Sequence, residues 1–166
     1  MVRNLANGYN RVRFATNVSE EGMTIAQRFA KVVGAFYLLV GIVGFIPPLL
    51  LGSLPAGVMR PFAGLLLGLF AVNWFHSLAH LLIGAAGLAV HRNHAASLSY
   101  ALALGIAYAG LFVLGLIFGL NFLGGLMPLN GADNVLHILT ALIAFGVYFA
   151  SRRQDADTAR RAPSAR

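Results

Sequence analysis

This chain reads as an all-α, polytopic membrane protein with four transmembrane helices in an up-down-up-down bundle. Three observations predict that fold class. Of 166 residues, 58% are hydrophobic and only 10% charged, against roughly 25% charged in a soluble domain. Four apolar segments reach the about 20 residues that a bilayer crossing needs. Basic residues gather at the two ends: Arg3, Arg11, Arg13, Arg28 and Lys31 come before the first apolar run, and Arg152, Arg153, Arg160, Arg161 and Arg166 follow the last. The formal charge of +7 therefore marks orientation in a lipid bilayer, and nucleic acid is not the expected partner.

The first span runs from about Gln27 to Leu51. The second is expected to start near Pro61, which suits a first helical turn, and to end near Val90. The third covers about Ser97 to Phe122. The fourth covers about Ala132 to Ser151, entered through Asn130, Gly131 and Asp133. These limits divide the chain into a basic cytoplasmic or interfacial segment (1–26), a four-helix transmembrane domain (27–151) and a basic tail (152–166). The first 26 residues are polar, and the first apolar run is too long for a signal h-region, so no cleavable signal is expected. Arg3, Arg11 and Arg13 alternate with Val2, Leu5, Tyr9, Val12 and Phe14, a pattern for an anionic membrane surface or a docking partner.

Short connections make consecutive helices antiparallel neighbours. Pro55-Ala56-Gly57 punctuates the first, His91-Arg92-Asn93-His94 makes the second, and Gly124-Gly125 to Pro128 breaks the third. Both tails are basic and the second loop carries Arg92, whereas the first loop has only Arg60 and the third has no basic residue. The positive-inside rule then places both termini in the cytoplasm. Cysteine is absent, which excludes disulfides, iron–sulfur clusters and thiolate metal sites. No Gly-x-Ser-x-Gly elbow, phosphate loop or His-Glu-x-x-His motif occurs, so nothing argues for a hydrolase or an ATPase.

One polar motif appears twice inside this apolar sequence. Asn73-x-x-His76-x-Leu78 recurs as Asn134-x-x-His137-x-Leu139, and Gly34-Ala35-Phe36-Tyr37 is echoed by Gly105-Ile106-Ala107-Tyr108. The pattern predicts two helix pairs related by an axis along the membrane normal. His76 and His137 should then share one depth near mid-membrane and face each other across the bundle axis. Helical spacing puts Asn73, His76 and His80 on one face, and Asp133, Asn134 and His137 on another.

Four uses of this cluster compete. The first is a structural polar cluster of Asn73, His76, His80, Asp133, Asn134 and His137 that ties helices 2 and 4, with Asp133 as a cap. Interhelical bonds of this kind contribute about 0.6–2 kcal/mol in membranes. The second is haem b held between His76 and His137, with the glycines of spans one and three making room for a flat cofactor. A divalent metal is the third, using the i, i+4 pairs His76/His80 and Asp133/His137. With His76 and His137 level, His80 and Asp133 stand about 12 Å apart along the axis, so a shared ion needs a one-turn slip between the helices. The fourth is a proton or small-solute pathway. The glycines otherwise serve close packing, with Gly115-x-x-x-Gly119 as a small-x-x-x-small pair. His91 and His94 are expected in solvent or at headgroups, and Trp74, Tyr37 and Tyr108 in packing roles.

The series Gly34-Ala35-Phe36-Tyr37-Leu38-Leu39-Val40-Gly41-Ile42-Val43-Gly44-Phe45-Ile46-Pro47, then Asn73-x-x-His76-x-x-x-His80-Leu81-x-x-Gly84, then Asn130-x-x-Asp133-Asn134-x-x-His137 resembles the small membrane family called domain of unknown function four-three-eight-three. The resemblance spans roughly Ala30 to Arg152. It implies a four-helix membrane fold and a bacterial origin, and it implies no activity; the expected location is then the bacterial inner membrane. The leading expectation is a non-enzymatic accessory or structural subunit of a larger membrane protein complex; the alternatives are a haem b or metal protein and a proton or solute pathway.

Overall fold

A computed structural model describes residues 22–161. Most of the basic segment 1–26, with Arg3, Arg11 and Arg13, lies outside the described residues, as does the end of the tail with Arg166. Helix α1 spans Ile25–Val43. Thr24 opens it with a capping box: its side chain accepts from the Gln27 N–H, and the Gln27 side chain accepts from the Thr24 N–H, so two orphan donors are satisfied reciprocally. The helix stops at Gly44, and Pro47-Pro48 in a 3-10 turn (Pro47–Leu49) prevents its continuation to Leu51.

The expected second span is two structures. A three-stranded antiparallel sheet comes first, with β1 at Leu50–Leu51, β2 at Gly64–Leu66 and β3 at Phe70–Val72 in the order β1-β2-β3. Leu50 pairs with Leu66, and Leu65 with Ala71. Helix α2 then spans only Trp74–Val90. Pro61 is therefore no helix start; its carbonyl accepts the Trp74 N–H at 2.9 Å and closes the loop. Leu67-Gly68, at φ 52° and 77°, reverses the chain between β2 and β3. Short apolar runs do not separate strand from helix by periodicity, which is why hydropathy merged the two.

Helix α3 spans His94–Phe118 and passes into a kinked 3-10 segment, Gly119–Gly125. The expected Gly115/Gly119 pair is not a helix-face pair, because Gly119 ends the helix at φ 54°. Helix α4 spans Gly131–Arg161 and continues beyond the expected exit at Ser151.

Glycines set the packing. On α1, Gly34 meets Gly84, Gly87 and Leu88, Gly41 meets Leu81, and Gly44 meets Ser77, so α1 and α2 run antiparallel in close contact. On α3, Gly105 meets Phe145 and Gly115 meets Asn134, so α3 and α4 do the same. These contacts fit the close-packing role of the glycines. Helices α1 and α3 run in the same direction, their starts joined by Thr24 and His94 and their centres by the rings of Tyr37 and Tyr108, 5.3 Å apart.

The burial pattern is inverted relative to a soluble protein. Val32, Leu82, Leu116, Ile117 and Leu142 are all about 60% exposed or more, whereas Asn73, His76, His137 and Asp133 are at most 2% exposed. An apolar exterior around a polar interior is the arrangement that hydrocarbon favours. Three helical segments, Ile25–Val43, His94–Gly125 and Gly131–Arg160, are long and apolar enough to cross a membrane; α2 is apolar but shorter.

At the end opposite the sheet, His94 is a clasp instead of a free loop side chain. Its Nε2 donates to Asp155 at 3.1 Å, and its Nδ1 lies 2.9 Å from the Thr24 hydroxyl. Three helix ends meet there. The pair is partly exposed, so His94→Ala is expected to cost under about 1 kcal/mol, read as a small downward shift in thermal unfolding in detergent.

Candidate functional site

The candidate site begins with two helix caps that are built alike. Asn73 is the N-cap of α2: its Oδ1 accepts the His76 N–H at 3.0 Å, and its Nδ2 donates to the Leu126 carbonyl at 2.8 Å. Asn130 does the same before α4. Its Oδ1 accepts the Asp133 N–H at 3.0 Å, and its Nδ2 donates to the Leu69 carbonyl at 2.7 Å. Each asparagine therefore caps its own helix and ties down the loop that precedes the other helix. Asn73 is not on the α2 face with His76 and His80, as its spacing had suggested; its side chain folds back over the first turn.

These reciprocal bonds correct the register of the repeat. Asn73 corresponds to Asn130, His76 to Asp133, Ser77 to Asn134 and His80 to His137. Helix contacts agree: Ser77 lies against Gly44 as Asn134 lies against Gly115. Aromatic contacts agree as well, since Tyr37 stands 5.2 Å from His80 and Tyr108 stands 5.1 Å from His137. Matching letters had aligned the two Asn-x-x-His strings one helical turn away. A string match sees residue identity, while a cap is defined by where the backbone enters the helix.

Asp133 and His76 meet at one residue of β3. The Ala71 N–H donates to Asp133 Oδ2 at 3.1 Å, and His76 Nδ1 donates to the Ala71 carbonyl at 3.0 Å. That bond sets the His76 tautomer, because a carbonyl can only accept. Asp133 Oδ2 also takes the Asn130 N–H at 2.8 Å, completing a capping box at the start of α4. The sheet therefore supplies the seat on which both helix starts rest.

Beneath the caps, five rings close a circuit. His76 lies 4.6 Å from His80, His80 5.2 Å from Tyr37, Tyr37 5.3 Å from Tyr108, Tyr108 5.1 Å from His137, and His137 6.4 Å from His76. His76 and His137 do face each other across the interior. Their position is near the sheet end, however, because His76 sits in the first turn of α2 and not at mid-helix. Tyr37 adds a 2.8 Å bond between its hydroxyl and that of Thr140. Tyr37, Tyr108 and Thr140 were not among the expected site residues; the paired Gly-x-x-Tyr echo was a signal for the two tyrosines, and Thr140 had none.

The one-turn slip that a metal site required is present, since His80 is the counterpart of His137. Even so, among the described residues no group of three His, Asp or Glu side chains stands where it could hold a metal ion. Asp133 explains this, because its carboxylate is turned to the two backbone N–H groups. The rings of His80 and Tyr108 pack against those of His76 and His137, the two side chains of the haem b reading. Several buried polar atoms make no hydrogen bond here, among them His80 Nδ1, His137 Nδ1, Ser77 Oγ and Asn134 Oδ1. Ser77 and Asn134 point at glycines of α1 and α3, away from the rings.

A family model described as a domain of unknown function, DUF4383, matches residues 27–150. The chain belongs to this family. The DUF4383 match takes in the sheet, both asparagine caps and all five rings, so the site lies wholly within the family domain. No curated protein and no solved structure matches the chain.

Proposed function

We propose that this DUF4383 protein is a non-enzymatic integral membrane protein, an accessory or structural subunit of a larger complex in a bacterial inner membrane. It crosses the bilayer four times in an up-down-up-down bundle, with both ends in the cytoplasm, where the basic residues gather. Helix α2 is about 26 Å long at 1.5 Å per residue, and β3 extends it toward the full hydrocarbon thickness. The buried polar cluster locks one helix pair to the other. The observation that carries this reading is the reciprocal pair of caps, Asn73 to Leu126 and Asn130 to Leu69. Together with the Ala71 bonds to His76 and Asp133, they turn the polar groups toward holding backbone.

The test is purification in mild detergent, with a visible absorption spectrum and elemental metal analysis of the wild type and of the His76→Gln/His137→Gln double variant. A colourless, metal-free protein whose double variant only unfolds more easily supports the structural role. A Soret band or stoichiometric metal, lost in the double variant, would make it a cofactor protein instead. A second reading, a proton pathway, is favoured by the unbonded His80 Nδ1 and His137 Nδ1. It predicts proton flux in reconstituted vesicles that stops in a folded His80→Gln/His137→Gln variant.

A further inference from the structure

Three non-glycine residues among those described have left-handed backbone: Phe62, Leu67 and Leu123, at φ 54°, 52° and 52°. All three are large and apolar, and all three are exposed, at 43%, 58% and 55%. All three also belong to the connections at the sheet end of the molecule. A left-handed conformation costs an L-residue with a side chain roughly 1–2 kcal/mol, and Leu67 stands where a hairpin turn ordinarily takes Asn or Asp. Strain of this kind persists when something else over-determines it. Water would not favour such a display of leucine and phenylalanine.

Three further observations point to one occupant. Leu51 and Leu69, 52% and 58% exposed on the same sheet and its turn, enlarge the apolar face. Arg60 is the one charged residue between Gly44 and Val72, and none occurs from Gly119 to Ala132. Ile42 at the end of α1, Ile46 just after it, and Ile117 and Phe118 at the end of α3 are exposed as well. Helix α2, 17 residues long, falls short of the about 30 Å hydrocarbon core, so the chain beside it must lie against lipid.

We propose that the sheet and the 3-10 segment form a wedge in the leaflet opposite the basic end, with Phe62, Leu67, Leu69 and Leu123 inserted among the lipid chains. The depth is limited by the backbone. An open sheet edge cannot sit in the middle of hydrocarbon, where its N–H and C=O groups have no partner. The wedge therefore lies at the boundary of headgroups and acyl chains, where Arg60 reaches phosphate and the strand edges reach water. This inference rests on the membrane reading above and adds where the largest connection lies.

The chain has no cysteine, so single nitroxide labels can be placed cleanly. Leu67→Cys, Leu69→Cys and Leu123→Cys would be labelled in phosphatidylcholine/phosphatidylglycerol vesicles. Leu142→Cys on the outer face of α4 serves as the lipid control and Gln154→Cys as the aqueous control. Collision with oxygen reports lipid, and collision with a water-soluble nickel chelate reports solvent. The expected result is that the three wedge labels lose access to the nickel chelate and gain access to oxygen, grouping with Leu142. If they group with Gln154 while Leu142 remains in lipid, the membrane reading stands and the wedge is overturned; the face is then a water-exposed surface for a protein partner. If Leu142 also groups with Gln154, both fail. Using three positions guards against one variant that does not fold.

Discussion

Gly84→Ala is expected to destabilise the helix bundle strongly, because the added methyl has nowhere to go. A Cβ at Gly84 would collide with Leu38 N and stand 2.6 Å from Leu38 Cα and 2.7 Å from the Gly34 carbonyl oxygen. All three are backbone atoms of α1, so no rotamer change relieves the contact. Overpacking a well-filled interior costs typically about 1–3 kcal/mol, and a backbone-against-backbone clash belongs at or above the upper end. The whole α1–α2 seam would open, since Gly34, Gly84 and Gly87 stack in one contact. Gly110→Ala is the matched control. Nothing lies within 4 Å of a Cβ there, and alanine is the better helix former by up to about 1 kcal/mol. Thermal unfolding in detergent, followed by circular dichroism, should show a large loss for Gly84→Ala and no loss for Gly110→Ala. Equal effects would mean that the helices do not meet as described.

Asn73→Ala is the second large effect, and its size divides into two parts. Loss of the N-cap costs about 0.5–2 kcal/mol. The Leu126 carbonyl, left without its donor in a partly buried site, adds about 0.5–1.5 kcal/mol. Asn73→Ser separates them, because serine caps well but is too short to reach Leu126; it should recover the first part and not the second. Asn130→Ala should cost less, because Asn130 is only partly buried and its bond to Leu69 is exposed. The two asparagines brace the same pair of loops, so the double alanine variant should depart from additivity by more than the about 0.3–0.5 kcal/mol seen for independent sites. Strict additivity in unfolding free energies would show that the two halves are not coupled through their caps.

Much of this was legible in the amino-acid sequence, and the reason differs from residue to residue. His76, His80, Asp133 and His137 stood out because ionisable groups are costly in hydrocarbon, so their presence in apolar runs is itself a signal. Gly34 and Gly105 stood out as small residues among large ones, whereas Gly84, the tightest contact of the α1–α2 seam, did not. The repeat was visible in Tyr37 and Tyr108. Its register was not, because Asn73 and Asn130 correspond through their place at a helix start, and a string holds no backbone. The direction of the Asp133 carboxylate was hidden for a similar reason: i, i+4 spacing set it beside His137, whereas its Oδ2 accepts from the Ala71 and Asn130 N–H groups.

Composition by itself determined the apolar helices, three of them long enough to cross a membrane, and the residues that would have to be explained inside them. Those properties follow from transfer energies, which are summed residue by residue and need no neighbour. Only the tertiary structure decided that residues 50–72 fold into a sheet before α2 begins, that Asn73 and Asn130 brace each other's loops, and that five rings from four helices close a circuit. The braces and the closing contacts of the circuit join residues about fifty or more positions apart, and the sheet needs Leu50 brought beside Leu66. No local pattern encodes such a pairing, because its energy exists only once both partners have been brought together.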